Sequence, residues 1–461
     1  MFVISSVRKA FSKRAFAGGV AALTLLSQPS WSEDLLTLWS VAETTDGKFL
    51  SAKYNYEANK EAIKQSRSQL LPNLSYEYEY KNTDQDIISS DNEVFDRGAS
   101  DYATTTNGFK ITQSVFDYSR WKRYSQSKVS VDKAEVEFGL ARQELMLRLA
   151  ENYFLVLERG DQLLTVQAEK TAMNRHLKLA EGKLKSGLGK RVDVEDARAR
   201  SLNAVAKEFE LESRLADSQY ALREVVGVIP QQLLVLRTDV PLEKPQPDSS
   251  AEWITMANER SLEIQSMMLE LDVAQQEIKV LKGGHYPTFE LVVNALNTDT
   301  DGSVYGGGSE IETADVAVRM NLPLYSGGLT SSQVRQASQK RYSVLETLND
   351  KRRMVERETQ DAYNRIHTAI VQIGALEQSV KAQERLLQAR ESGYRTGRNS
   401  LLNVLDAQND LSQVRQALTK ARYDYVLNTL KLKFAVGDLQ PDDLALVNSW
   451  LQVPAAEPAA L

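Results

Sequence analysis

Hydrophobic residues in this chain keep two different periods, and the periods alternate along it. From Asp34 to Leu71 the spacing is helical. Leu35, Leu36, Trp39 and Ala42 share a face, Thr45-Asp46-Gly47 breaks the pattern, and Ala52, Tyr56, Asn59 and Ile63 resume it. Pro72 stops it. The period then drops to two: Leu74, Tyr76, Tyr78 and Tyr80 alternate with Ser75, Glu77, Glu79 and Lys81. One face is aromatic and the other charged, which suits a barrel strand facing lipid at least as well as a strand half-buried in a core. A polar stretch over 83–102 reads as a loop, and Phe109, Ile111, Gln113 and Val115 then alternate with Lys110, Thr112 and Ser114.

A proline-free run from about 119 to 185 follows. Ala134, Phe138, Ala141, Leu145, Leu149, Tyr153 and Val156 recur there every three or four residues. At 1.5 Å per residue this predicts a helix of roughly 100 Å, a rod that a globular domain rarely needs. A glycine turn at Ser186-Gly187-Leu188-Gly189-Lys190-Arg191 leads into a second helix over about 192–226, ended by Gly227 and Pro230. Residues 229–250 are proline-rich and extended, without a clear period.

The series then recurs. It comprises a helix over 262–282, strands over about 287–298 and 313–322 around a Gly/Asp-rich loop at 299–312, and a rod from about 330 to 394. A turn at Thr396-Gly397-Arg398-Asn399 and a helix over about 400–436 complete it. The last helix carries Leu411, Val414, Leu418, Ala421 and Tyr425 on a coiled-coil seam. Gly187 and Gly397 lie 210 positions apart, as do Asp196 and Asp406. The chain therefore reads as an internal two-fold repeat, 33–228 and 251–437, joined by the linker 229–250 and followed by a tail over 438–461.

Four strands of roughly ten residues are long enough to cross a bilayer when tilted. Four cannot close, open edges are not tolerated in lipid, and eight strands from two copies leave too narrow a lumen. Three copies, giving twelve strands, are expected. The fold class is thus an α+β membrane protein: a trimeric 12-stranded transmembrane β-barrel, four strands per chain, continued by a long α-helical coiled-coil tunnel.

Composition narrows the partners. The formal net charge is −6, without basic blocks, so nucleic acid is not expected as a partner. At 42% hydrophobic residues, no helical membrane bundle is hidden in the chain. Cysteine is absent, which excludes disulfides, thiolate metal sites, thiol nucleophiles and an acylated N-terminal cysteine. Residues 1–32 read as a secretory signal: Arg8, Lys9, Lys13 and Arg14 precede a largely apolar run from Ala15 to Leu26, and Ser30-Trp31-Ser32 offers small residues for cleavage before Glu33.

The motifs Leu70-Leu71-Pro72-Asn73-Leu74, Tyr286-Pro287-Thr288-Phe289 and Leu322-Pro323-Leu324-Tyr325-Ser326-Gly327-Gly328 frame the strands. The two glycine turns, with Val404-Leu405-Asp406-Ala407, frame the helices. In these motifs and their order, over nearly the whole mature chain, the sequence resembles the TolC family of outer-membrane channel proteins. The resemblance implies a homotrimer in outer-membrane lipid with a periplasmic extension. It further implies an exit duct for type I protein secretion or multidrug efflux. The implied partners are a periplasmic adaptor (membrane fusion) protein and an inner-membrane ABC transporter or proton-driven pump. The leaning is to type I secretion, because the acylated cysteine common among dedicated efflux members is missing. A structural coiled coil that spaces membranes is the reading from another class, and it leaves four amphipathic strands unexplained.

The same resemblance implies roles at the turns. Gly187, Leu188, Gly397 and Arg398 would offer the adaptor its docking surface, although glycines are needed at any such helix end. Asp193, Asp196, Tyr394, Arg398, Asn399, Asn403 and Asp406 fall at the family's periplasmic gate. Tyr394 matches a latch tyrosine, Asn399 stands where the family has a latch arginine, and Asn403 replaces the first of two aspartates that would line the mouth. Asp406 also suits a helix N-terminus on its own account. No catalytic, cofactor or metal site is expected. His176, His285 and His367 are scattered, Gly306-Gly307-Gly308 lacks the lysine of a phosphate loop, and no nucleophile or carboxylate pair is spaced for chemistry.

Overall fold

A computed structural model describes residues 34–89, 98–303 and 306–454. The expected signal, 1–32, lies outside the described residues. The elements in chain order are α1 (Leu35–Thr45), α2 (Gly47–Ser68), β1 (Asn73–Ile87), β2 (Gly98–Phe116), α3 (Tyr118–Lys185), α4 (Arg191–Val226) and β3 (Val235–Leu236). They continue with α5 (Ser250–Arg260), α6 (Leu262–Lys282), β4 (Thr288–Ser303), β5 (Gly306–Asn321), α7 (Leu329–Arg395), α8 (Leu401–Val436), α9 (Pro441–Ser449) and β6 (Leu451–Gln452).

The helix ends follow local chemistry. Asp46 divides α1 from α2: one of its carboxylate oxygens accepts from the Phe49 amide at 2.7 Å, and the other accepts from Arg148 at 2.6 Å. Asp117 caps α3 by accepting from the Arg120 amide at 3.0 Å. The rods α3 and α7 run for 68 and 67 residues, about 100 Å each. Each doubles back at a glycine turn, so α3/α4 and α7/α8 are two antiparallel hairpins, with α2 alongside α3, and α6 between α3 and α7. The shorter helices meet end to end. Gly227, closing α4, lies against Thr45 at the end of α1, just before α2, and Gly437, closing α8, lies against Arg260 and Leu262 at the junction of α5 and α6. A Cβ at Gly437 would sit 2.6 Å from the Arg260 carbonyl oxygen, and its φ of +80° is the left-handed region, so only glycine fits this junction.

The four long strands form one antiparallel sheet in the order β1-β2-β4-β5. Register sorts its faces. Tyr76 lies opposite Phe109, Phe109 opposite Ala295 and Ala295 opposite Ala314, and the Tyr76 and Phe109 rings meet edge-on at 5.3 Å. Leu74, Ile111, Val293 and Val316 continue this face, and Val293 and Val316 are direct partners. The other face carries Glu77 with Lys110 at 3.1 Å and Asn294 with Asp315 at 3.0 Å.

The strands are 15 to 19 residues long, not about ten, so 83–87 and 98–102, and most of 299–312, are strand and not loop. The apolar members of the Tyr76 face end near Tyr80 and Ala314. Beyond them the same face carries Asn82, Asp84, Thr105, Asn297, Asp299, Glu310 and Glu312. Backbone pairing continues where this face is polar, and there the apolar alternation that marks the strand in the sequence stops. From Leu74 to Tyr80 the apolar band spans about 20 Å along the strand, within a strand of about 50 Å.

A single buried core joins the middle of the rods to the chain ends. Leu35, Leu38 and Trp39 of α1 pack with Leu149, Tyr153 and Phe154 of α3, Ile366 of α7, Val426 of α8, and Leu444 and Val447 of α9. This corrects the reading of 438–461 as a tail. Through Leu451 and Gln452, β6 pairs with β3 from the linker. The Asn448 amide group donates to Asp34 at 2.9 Å, and only 455–461 lie outside the described residues. The linker is anchored: the Glu243 amide donates to the Tyr425 hydroxyl at 2.9 Å, and the Trp253 indole donates to the Pro247 carbonyl at 2.8 Å. Segments this short carry no period, because their partners lie hundreds of residues away. Leu444→Ala should therefore destabilise the whole helical body by about 2–5 kcal/mol. The check is the thermal midpoint of the helical circular-dichroism signal, and an unchanged midpoint would place α9 outside the core.

Candidate functional site

The two hairpin turns have the same backbone. The Leu188 amide bonds the Lys183 carbonyl at 2.9 Å and the Gly187 amide bonds the Leu184 carbonyl at 3.0 Å. In the second turn the Arg398 amide bonds the Gly393 carbonyl at 2.8 Å and the Gly397 amide bonds the Tyr394 carbonyl at 3.2 Å. This is the Schellman pattern, which needs a left-handed residue just past the helix. Gly187 and Gly397 supply it, at φ +74° and +79°.

The residues after each turn behave differently. Asn399 folds back on its own turn: its side-chain amide donates to the Arg390 carbonyl at 3.4 Å, and a Cβ on Gly393 would stand 2.3 Å from it. Ser400 caps α8 by accepting from the Asn403 amide at 3.3 Å. The Asn403 side chain is exposed, and the Asn403 backbone carbonyl accepts from the Arg390 guanidinium at 2.8 Å. Asp193 stands in the first turn of α4, where the helix dipole favours a carboxylate.

A small second core lies just behind the turns. Tyr394 is buried there with Met173, Ala180, Val194, Ala197, Leu401, Val404 and Leu405. The Lys183 ammonium lies 3.7 Å from the centre of the Tyr394 ring and also donates to the Tyr394 carbonyl at 3.3 Å. Burial, and then the nearby Asp193 charge, push the Tyr394 hydroxyl above the usual phenol range. One turn further along, Arg200 donates to an Asp406 carboxylate oxygen at 2.8 Å, with Asp196 3.6 Å away on its other side. At the outermost point Leu188 is 83% exposed and Val192 76%. Arg191, Val192, Glu195, Asp196 and Leu402 line a shallow, mostly apolar groove between the hairpins. The Arg398 side chain is exposed at the same end.

Of the residues singled out in the sequence, Asp193 and Tyr394 come near one another, and Asp196 and Asp406 meet through Arg200. Gly187, Leu188, Gly397 and Arg398 share the exposed tips. Asn399 and Asn403 join none of these contacts across the hairpins. Sequence reasoning missed Lys183 and Arg200. Arg200 could have been found as an i,i+4 partner of Asp196, whereas Lys183 meets Tyr394 across 211 residues and leaves no local signal.

His176 of α3 is buried close behind this core, and its Nδ1 has no hydrogen-bond partner among the described residues. Burial pushes its imidazole below the usual histidine range, against the opposing pull of Glu391. A depressed histidine stays neutral in the folded chain while the unfolded chain takes up a proton. Stability at this end should therefore fall as pH drops below about 6.5. Amide exchange near residue 176 should speed up at about pH 5.5 relative to pH 7.5, after correction for intrinsic rates. His176→Leu should abolish that dependence, and an unchanged dependence would place its cause elsewhere.

Comparison with known proteins agrees with this architecture. The chain is 31% identical over 437 residues to the outer membrane protein TolC of Vibrio cholerae, covering 94% of this chain and 97% of that one. It is 25% identical to the proteases secretion protein PrtF of Dickeya chrysanthemi, covering 93% and 94%. Among solved structures, the CmeC outer membrane channel of Campylobacter jejuni superposes with a TM-score of 0.76 at 15% identity, covering 91% of this chain and 90% of that one, which shows the shared fold. A family model described as outer membrane efflux protein matches residues 40–228 and 253–438, and the chain belongs to that family.

Proposed function

We propose that this chain is the outer-membrane exit duct of a tripartite export system, serving type I protein secretion. The observation that carries the reading is one molecule holding both parts of such a duct. It has an open amphipathic sheet with a lipid-compatible band, and two hairpins of about 100 Å, the first ending in an exposed apolar tip at Leu188 and Val192. The sheet closes with those of two further copies into a twelve-stranded barrel, and the hairpins of the three copies form the tunnel below it. The parallel order of elements in 33–228 and 251–437, and the double match of the family model, support an internal repeat.

The duct is passive and needs no catalytic group. An inner-membrane ABC transporter supplies the work, and a periplasmic adaptor joins it to the tips. Leu188, with the left-handed glycines Gly187 and Gly397 and the exposed Arg398, forms the adaptor's docking surface. Asp193, Asp196, Tyr394 and Asp406 form the gate behind it. Likeness to a protein named for protease secretion favours protein cargo. The family's own description favours a second reading, the outer component of a multidrug efflux pump. A membrane-spacing coiled coil leaves the sheet without a role.

Deleting the chain should remove at least one protein from the culture medium while drug susceptibility stays unchanged. Raised drug susceptibility with an unaltered set of secreted proteins would replace type I secretion by efflux. Leu188→Asp should abolish export while the protein still accumulates in the outer membrane, and normal export would remove Leu188 from the docking surface.

A further inference from the structure

Asp196 and Asp406 are each the sixth residue of their helix, α4 and α8, so they stand at the same level of the two hairpins. One guanidinium serves both: Arg200 bonds Asp406 at 2.8 Å and lies 3.6 Å from Asp196. The arrangement is one-sided. The residue 210 positions after Arg200 is Asp410, so the second hairpin has no matching cation. Among the described residues, two salt bridges join one hairpin to the other. Lys431–Glu151, at 2.8 Å, lies beside the central core, and Arg200–Asp406 is the one near the tips. The three side chains are 28% (Arg200), 35% (Asp196) and 46% (Asp406) exposed, so the pair is partly shielded from solvent.

We propose that Arg200 is an intra-subunit tie that holds the second hairpin tip against the first and masks the Asp406 carboxylate at the mouth of the duct. The proposal rests on the exit-duct reading. It differs from a latch through Asn399, whose side chain is engaged with its own turn. Two carboxylates and one guanidinium leave one net negative charge per subunit at this level. Moving the second hairpin outward breaks the Arg200–Asp406 bond and bares Asp406. The same residue therefore sets both the ease of opening and the affinity of the mouth for cations.

The test is single-channel recording of the full chain in planar bilayers, with hexamminecobalt(III) added on the side of the tips. Arg200→Gln should raise the open probability about fivefold, the upper weight of a partly exposed ion pair. It should also lower the hexamminecobalt concentration needed for half block. Asp406→Asn removes the same tie from its other end. It should raise the open probability to a similar extent without the gain in block. The double reversal Arg200→Asp with Asp406→Arg should restore the closed behaviour of the wild type. An Arg200→Gln channel that opens and blocks like the wild type overturns the tie, as does a double reversal that stays open. A wild-type chain that forms no pore overturns the duct reading itself, and is thereby distinguished from a wild-type pore indifferent to Arg200.

Discussion

Backbone hydrogen bonding at the two edges of the sheet is the constraint on which the rest depends. Within the chain, β1 pairs only with β2, and β5 only with β4. One edge of each, 15 and 16 residues long, keeps its amides and carbonyls without a strand partner among the described residues. Water satisfies such groups, but a hydrocarbon layer does not, and each unsatisfied group costs several kcal/mol there. The band from Leu74 to Tyr80, continued by Phe109, Val293 and Val316, is too apolar to face water and is aligned across all four strands. On the proposed exit-duct reading, other copies complete this sheet, and assembly is then a condition of insertion.

That condition explains the proportions of the rest. The rods carry a narrow buried seam and a long polar exterior, which suits helices that pack side by side around a common axis. Their rigid anchor is the core where α1, α9 and β6 gather both ends of the chain against α3, α7 and α8. Apolar packing behind the tips is the small cluster around Tyr394, against the far larger core at the middle of the rods. Motion of one hairpin against the other is easiest at that end, where few apolar contacts oppose it. The polar contacts across the hairpins there, Lys183 with Tyr394 and Arg200 with Asp406, accordingly weigh more than such contacts would elsewhere.

Much of this is legible in the sequence, for identifiable reasons. The rods show because Leu145, Leu149 and Tyr153 repeat a helical spacing over many turns without proline. The strands show where Leu74, Tyr76, Tyr78 and Tyr80 alternate with charges. Their true ends do not, because Asn82, Asp84, Glu310 and Glu312 are polar residues where the apolar alternation has already stopped. The paired linker and C-terminal segment are likewise illegible, since Val235 and Leu236 find Gln452 and Leu451 across more than two hundred residues. At the tips, the glycine turns follow from local stereochemistry, and resemblance directs attention to Asp193, Tyr394 and Asp406. It also directs attention to Asn399 and Asn403, which make no contact across the hairpins. It passes over Arg200, which only its i,i+4 spacing to Asp196 hints at, and over Lys183, whose partner on another hairpin leaves no mark in local spacing.

Native mass spectrometry of the protein extracted from outer membranes in mild detergent tests the central claim most directly. A particle of three chains is expected, with the amides of β1 and β5 protected from hydrogen exchange as strongly as those of β2 and β4. A stable particle of one or two chains, or freely exchanging edge strands in a particle of three, would contradict closure of the sheet by assembly.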